Sequence, residues 1–150
     1  MNLWLVKDLL YLIILTWEAY QDWKKKSITK NSLLIAGVLG VTISVLLGRQ
    51  VIQIIISCSL GIALLALNKC TNDGIGEGDG WFFFISGFYM DWHNNLQMFL
   101  TGLFLCFGAS LILVVQGCFR KRKNKITLPF LPFVLPAGIE MILNSVRSLQ

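Results

Sequence analysis

Apolar residues in this chain come in blocks nearly as long as a bilayer is thick, and that patterning constrains its fold more than any other feature. A crossing helix needs about 20 mostly apolar residues, with a range of roughly 17 to 25. Six candidate spans follow one another, over about Leu3–Tyr20, Ser32–Leu47, Val51–Leu67, Gly80–Met90, Leu96–Cys118 and Leu128–Leu149. The fourth is short unless Asp79 caps it. The tight break Gly48-Arg49-Gln50 predicts an antiparallel pair from the second and third spans. Pro129, Pro132 and Pro136 disfavour a regular helix at the start of the last block. An extended or re-entrant approach is expected there, with a helix from about Ala137. Such backbone is tolerated at membrane depth only inside protein or beside a wet cavity, so this segment should face the bundle interior. The N-terminus shows neither a basic leader region nor a small-residue cleavage site, so the first block reads as a retained span.

Composition agrees. Of 150 residues, 55% are hydrophobic and 14% charged. Soluble domains carry about 25% charged residues, so this chain is short of a water-facing surface. The expected fold is all-α: a polytopic membrane helix bundle of about six transmembrane helices, forming one domain over residues 1–150, with no internal repeat.

The net charge of +5 does not point to nucleic acid. The basic residues cluster between apolar runs, as on the cytoplasmic loops of membrane proteins. With six spans, Lys24, Lys25, Lys26, Lys30, Lys69, Arg120, Lys121, Arg122, Lys123 and Lys125 fall on one side, against Lys7, Arg49 and Arg147 on the other. The first side is therefore expected to be cytoplasmic. Trp17, Trp23, Trp81 and Trp92 stand near span ends, where aromatic belts form. Cys58, Cys70, Cys106 and Cys118 make no CxxC pair, and His93 is the single histidine. Neither a metal site nor a histidine-based triad is expected.

Eight acidic residues remain. Carboxylates near hydrocarbon are costly and need a partner, a proton or a substrate. Glu18 and Asp22 are four apart, hence on one helical face. Asp79 ends the stretch Gly-Ile-Gly-Glu-Gly-Asp before span four. Asp22 and Asp79 stand at the expected cytoplasmic ends of spans one and four. Two carboxylates brought together cannot easily both ionise, and such a dyad can serve as base and acid for water attacking a peptide carbonyl. Gly76 and Gly78 would let an extended peptide approach Asp79. The plain alternative is a turn in which Asp79 merely caps its helix. A phosphate cradle does not fit, because the loop lacks a Gly-Lys-Ser/Thr ending. Glu18 reads as an interfacial residue that snorkels, or as an auxiliary polar group. Glu140, within the last block, needs a function or a partner.

Three motifs in order resemble those of the type IV prepilin peptidases, GxGD-type membrane aspartyl proteases. Asp22-Trp-Lys-Lys-Lys-Ser-Ile28 resembles their Asp, basic stretch and Ile-Pro-Asn, with Thr29 and Lys30 in the Pro and Asn places. Gly76, Gly78 and Asp79 match Gly-x-Gly-Asp. Leu128-Pro-Phe-Leu-Pro-Phe133 resembles a late Pro-rich segment. The resemblance implies catalytic Asp22 and Asp79, with Gly76, Gly78, Pro129 and Pro132 at the substrate. It implies cleavage of basic leaders from prepilin-like or pseudopilin-like precursors, in pilus or secretion systems, at the cytoplasmic face of the cell membrane. Gly80-Trp81 departs from the Val/Ile-Lys that many members carry after the second Asp. The CxxC-bearing insertion of the long methylating members is absent, so a peptidase-only form without cofactor is expected. A non-enzymatic subunit of an export assembly, or a proton-coupled transporter using Asp22, Asp79 and Glu140, are the other readings.

Overall fold

A computed structural model describes residues 3–25, 29–71, 76–120 and 128–147. Lys26, Ser27 and Ile28 of the basic stretch, Asp73 and Gly74, and the basic run 121–125 lie outside the described residues. Six helices follow in order: α1 (Leu3–Lys25), α2 (Lys30–Leu46), α3 (Val51–Cys70), α4 (Glu77–Tyr89), α5 (Trp92–Arg120) and α6 (Leu131–Arg147). The all-α expectation holds, with no strand among the described residues. Two helices, Val51–Cys70 and Trp92–Gln116 within α5, are long and apolar enough to cross a membrane. At 13 residues, α4 spans roughly 20 Å, less than a bilayer's hydrocarbon core.

The links follow from local chemistry. After α2 the chain reverses through Gly48, whose φ of 64° suits glycine. There the Leu47 amide donates to the Ile43 carbonyl and the Arg49 amide to Ser44. These bonds satisfy carbonyls that a helix end would leave orphaned.

Helix α4 is the hub and touches α1, α2, α3 and α5, while α6 closes across α1 and α5. Its closest partner is α3, approached through glycines. A Cβ on Gly61 would lie 2.1 Å from the Phe84 nitrogen, and one on Gly87 would lie 2.7 Å from the Ser57 carbonyl carbon. Small residues at such crossings bring backbones together where no water drives association. The opposed pairings Gly61–Phe84 and Ser57–Gly87 make α3 and α4 antiparallel. Gly37 facing Ile85, and Gly40 facing Tyr89, make α2 and α4 run the same way. The second and third helices are thus antiparallel, as expected, with α4 lying against both.

The last segment corrects the sequence reading. No extended stretch reaches Ala137; the helix begins at Leu131, with Pro136 inside it. Pro132 sits in the first turn, where a missing N–H costs nothing. Pro136 removes one helical hydrogen bond but does not end the helix. The expected interior position is met where it counts, because Leu131 and Val134 are fully buried.

Candidate active site

The polar end of α1 presents Glu18, Gln21 and Asp22 on one buried face. Gln21 and Asp22 each have a hydrogen-bond partner elsewhere in the chain. Asp22 Oδ2 accepts a hydrogen bond from the Leu131 backbone amide at 3.0 Å, across 109 residues of chain. The Phe130 amide also donates to this carboxylate. Asp22 therefore caps the first turn of α6, and the helix dipole there favours its negative form. Gln21 accepts a hydrogen bond from the Thr29 hydroxyl.

Asp79 lies in the first turn of α4, and Gly76, rather than Asp79, occupies the cap position, with no side-chain cap bond. Asp79 is the third residue of the helix. Its carboxylate folds back over Gly76: a Cβ at that position would meet Asp79 Oδ2 at 2.7 Å. Gly76 thus makes room for the carboxylate itself, which sequence reasoning had assigned to an approaching peptide. Gly80 has its own reason, because a Cβ there would press on Leu65 of α3 at 2.8 Å. The departure from the expected residue after Asp79 is a close helix contact.

Asp22 and Asp79 both fall outside the apolar runs, at the polar end of the bundle. Burial, then the neighbouring Asp22 charge, pushes the Asp79 carboxyl up to about 7. Burial also raises Asp22, while the Leu131 and Phe130 amides pull it back. The two carboxyls are thus close enough for the charge of one to act on the other. Both are shifted toward the acid, and only Asp22 has backbone amides that draw it back, an asymmetry of the kind a base and acid pair requires. Among the described residues no group of His, Cys, Asp and Glu could hold a metal ion.

The other candidates divide. Pro129 and Pro132 flank the amides on Asp22 and are half-buried; Gly78 is half-buried beside Asp79. Glu18 does not snorkel. It is 1% exposed, because its face of α1 turns toward the bundle. Glu140 is not at the site. It is exposed and borders a separate polar groove of about 280 Å³ with Asn94, Gln97, Thr101 and Asn144, between α5 and α6.

Sequence reasoning missed the groups that hold α4. Arg49, taken as an outer topological charge, donates to the Phe88 and Met90 carbonyls at 2.7 and 2.8 Å. Ser44 donates to the Phe88 carbonyl as well. Asn95, fully buried, donates to the carbonyls of Ser57 and Phe83 at 3.0 and 3.1 Å. Asn95 closes the polar stretch Asp91-Trp-His-Asn-Asn95, which reads as a turn, so its burial had no signal in the sequence. None pointed to the Leu131 amide, a backbone donor.

A helical bundle of membrane-type composition, with two interacting carboxyls at one polar end, defines the class. The chain belongs to the type IV leader peptidase family, which it matches over residues 9–117. That region contains both Asp22 and Asp79 and stops before α6. No curated protein and no solved structure matches the chain. Membership makes it a leader-peptidase-like protease in general, with a prepilin-like precursor as the class of substrate. The apolar helices accord with a place in the membrane.

Proposed function

We propose that the protein is a membrane aspartic endopeptidase that removes basic leaders from prepilin-like or pseudopilin-like precursors at the cytoplasmic face. The observation that carries this reading is the electrostatic pairing of Asp22 with Asp79, two residues far apart in sequence and both within the family match. Asp22, holding two backbone amides, takes a proton from the attacking water. Asp79, protonated, gives its proton to the peptide carbonyl oxygen, forming a neutral gem-diol. Asp22 then returns its proton to the departing nitrogen as the C–N bond breaks, and a diol hydroxyl restores the proton on Asp79. General acid–base transfer of this kind contributes about 10²–10⁴-fold.

In this reading all six helices are membrane-inserted, with α4 short because its polar end stops at the catalytic depth. The basic residues around Lys24, Lys30 and Lys69 share the side of the two carboxylates, and that side is cytoplasmic. The Pro129–Pro132 turn and Gly78 border the space a peptide would occupy.

Co-expression with a precursor carrying a basic leader before an apolar helix tests the proposal. Wild type is expected to shorten the precursor, and Asp22→Asn and Asp79→Asn to leave it intact at equal expression. Full processing by either variant would remove the dyad mechanism. A reporter fused at Gly48 should face the outside; a cytoplasmic signal there would overturn the topology.

A further inference from the structure

Glu18 is a buried acid that the mechanism above does not use. It lies one helical turn before Asp22, and side chains four apart on a helix are neighbours. Its Oε2 is buried with no hydrogen-bond partner. An ionised carboxylate in that position would leave buried lone pairs unmet, at high cost. The cleft above it, about 240 Å³ between α1 and α2, is lined by Ile13, Trp17, Ile35 and Leu39 among others, and supplies no compensating charge.

The charged groups on the surrounding elements do not neutralise it. Asp22 on its own helix and Asp79 on α4 are themselves acids. Lys30 of α2 is exposed and reaches Glu77 of α4 at 3.9 Å. On α6, Glu140 borders a different groove and Arg147 lies at the far end of the helix. Among the described residues no ion pair includes Glu18.

Ser32 of α2 lines the same cleft as Glu18, within hydrogen-bonding reach of its carboxyl. The Ser32 hydroxyl already donates its proton to the Thr29 carbonyl at 2.8 Å. Ser32 therefore has a lone pair to offer Glu18, and the proton in their bond must come from the carboxyl. The link matters because α1 and α2 share less contact than the other packed helix pairs. Glu18–Ser32 and Gln21–Thr29 are polar ties between them, on the turn that carries Asp22.

We propose that Glu18 is a positioning residue for Asp22 that works as a neutral acid, donating its proton to Ser32 and tying α1 to α2 without adding a third negative charge to the site. The proposal rests on the peptidase reading for its effect on activity, but not for the proton itself. A charged Glu18, for instance one binding a basic leader directly, is the opposing view.

The test uses the full chain in lipid nanodiscs. The infrared difference between wild type and Glu18→Gln at neutral pH should show a protonated-carboxyl C=O band lost in the variant; its absence would overturn the proposal. Glu18→Gln, a neutral mimic, should process precursor within about twofold of wild type, with an unmoved pH profile, whereas Glu18→Ala should lose about tenfold. Glu18→Gln falling to the level of Glu18→Ala would overturn it too. If wild type cleaves no precursor, the peptidase reading fails, and the infrared band still decides the proton on Glu18.

Discussion

The two ends of α4 are built in opposite ways. At the Tyr89 end several hydrogen bonds fix the backbone: Arg49 and Ser44 hold its last carbonyls, Tyr89 donates to the Ala36 carbonyl at 2.6 Å, and Gly87 lies against the backbone of α3. At the Gly76 end the cap residue has no side chain, and Asp79 is half-buried within reach of the Asp22 charge. The difference teaches that one helix can be anchored firmly at one end so that a costly, reactive group can be carried at the other. Burying acids together destabilises a fold, and strain of that kind is sustained only by order elsewhere.

This contrast can be broken from the anchored side first. Gly61→Val should have the largest effect on stability, several kcal/mol, since its side chain would occupy the Phe84 backbone; loss of folded protein on detergent-solubilised thermal melts would show it. Asn95→Leu leaves the Ser57 and Phe83 carbonyls without this donor and should cost about 2 kcal/mol by the same measurement. Arg49→Met should cost about 1–2 kcal/mol and lower activity as well, because α4 would lose its axial stop. At the reactive end the pattern should invert. Gly76→Ala crowds the Asp79 carboxylate, so leader cleavage should fall about tenfold with stability changed by less than about 1 kcal/mol. Should Gly76→Ala melt the protein as Asn95→Leu does, the contrast between the ends would be lost.

The smallest effect is expected from pH. Asp79 is held up to about 7 by burial and by Asp22. The sign follows: the form with one proton on Asp79 prevails below that value and is lost as pH rises through it. Cleavage should therefore decline above about pH 7, in an assay where the precursor itself does not titrate.

Much of this was legible in the sequence because hydrophobic blocks and glycines act locally. Helix α2, the turn at Gly48 and α3 follow from apolar runs and one flexible residue. Asp22 and Asp79 stood out because a chain with eight acids cannot hide them. What sequence could not show depended on distant partners. Pro132 looked like an obstacle, yet a first helical turn tolerates it, and Asp22 supplies the cap that lets α6 start at Leu131. Glu18 looked like a snorkelling residue because the direction of its helical face depends on where α2 packs. Glu140 was the reverse: its apolar sequence neighbours suggested a function or a partner, but its face of α6 opens on a groove separate from the two aspartates.

The central claim is that Asp22 and Asp79 act as one unit. It is tested most directly by the rate of leader cleavage for purified wild type, Asp22→Asn, Asp79→Asn and the double variant, reconstituted in lipid. Residues that work as a unit are non-additive. Each single variant should therefore be as inactive as the double, at least about 10³-fold below wild type. A single variant that retains substantial cleavage, with a further independent loss in the double, would contradict the account.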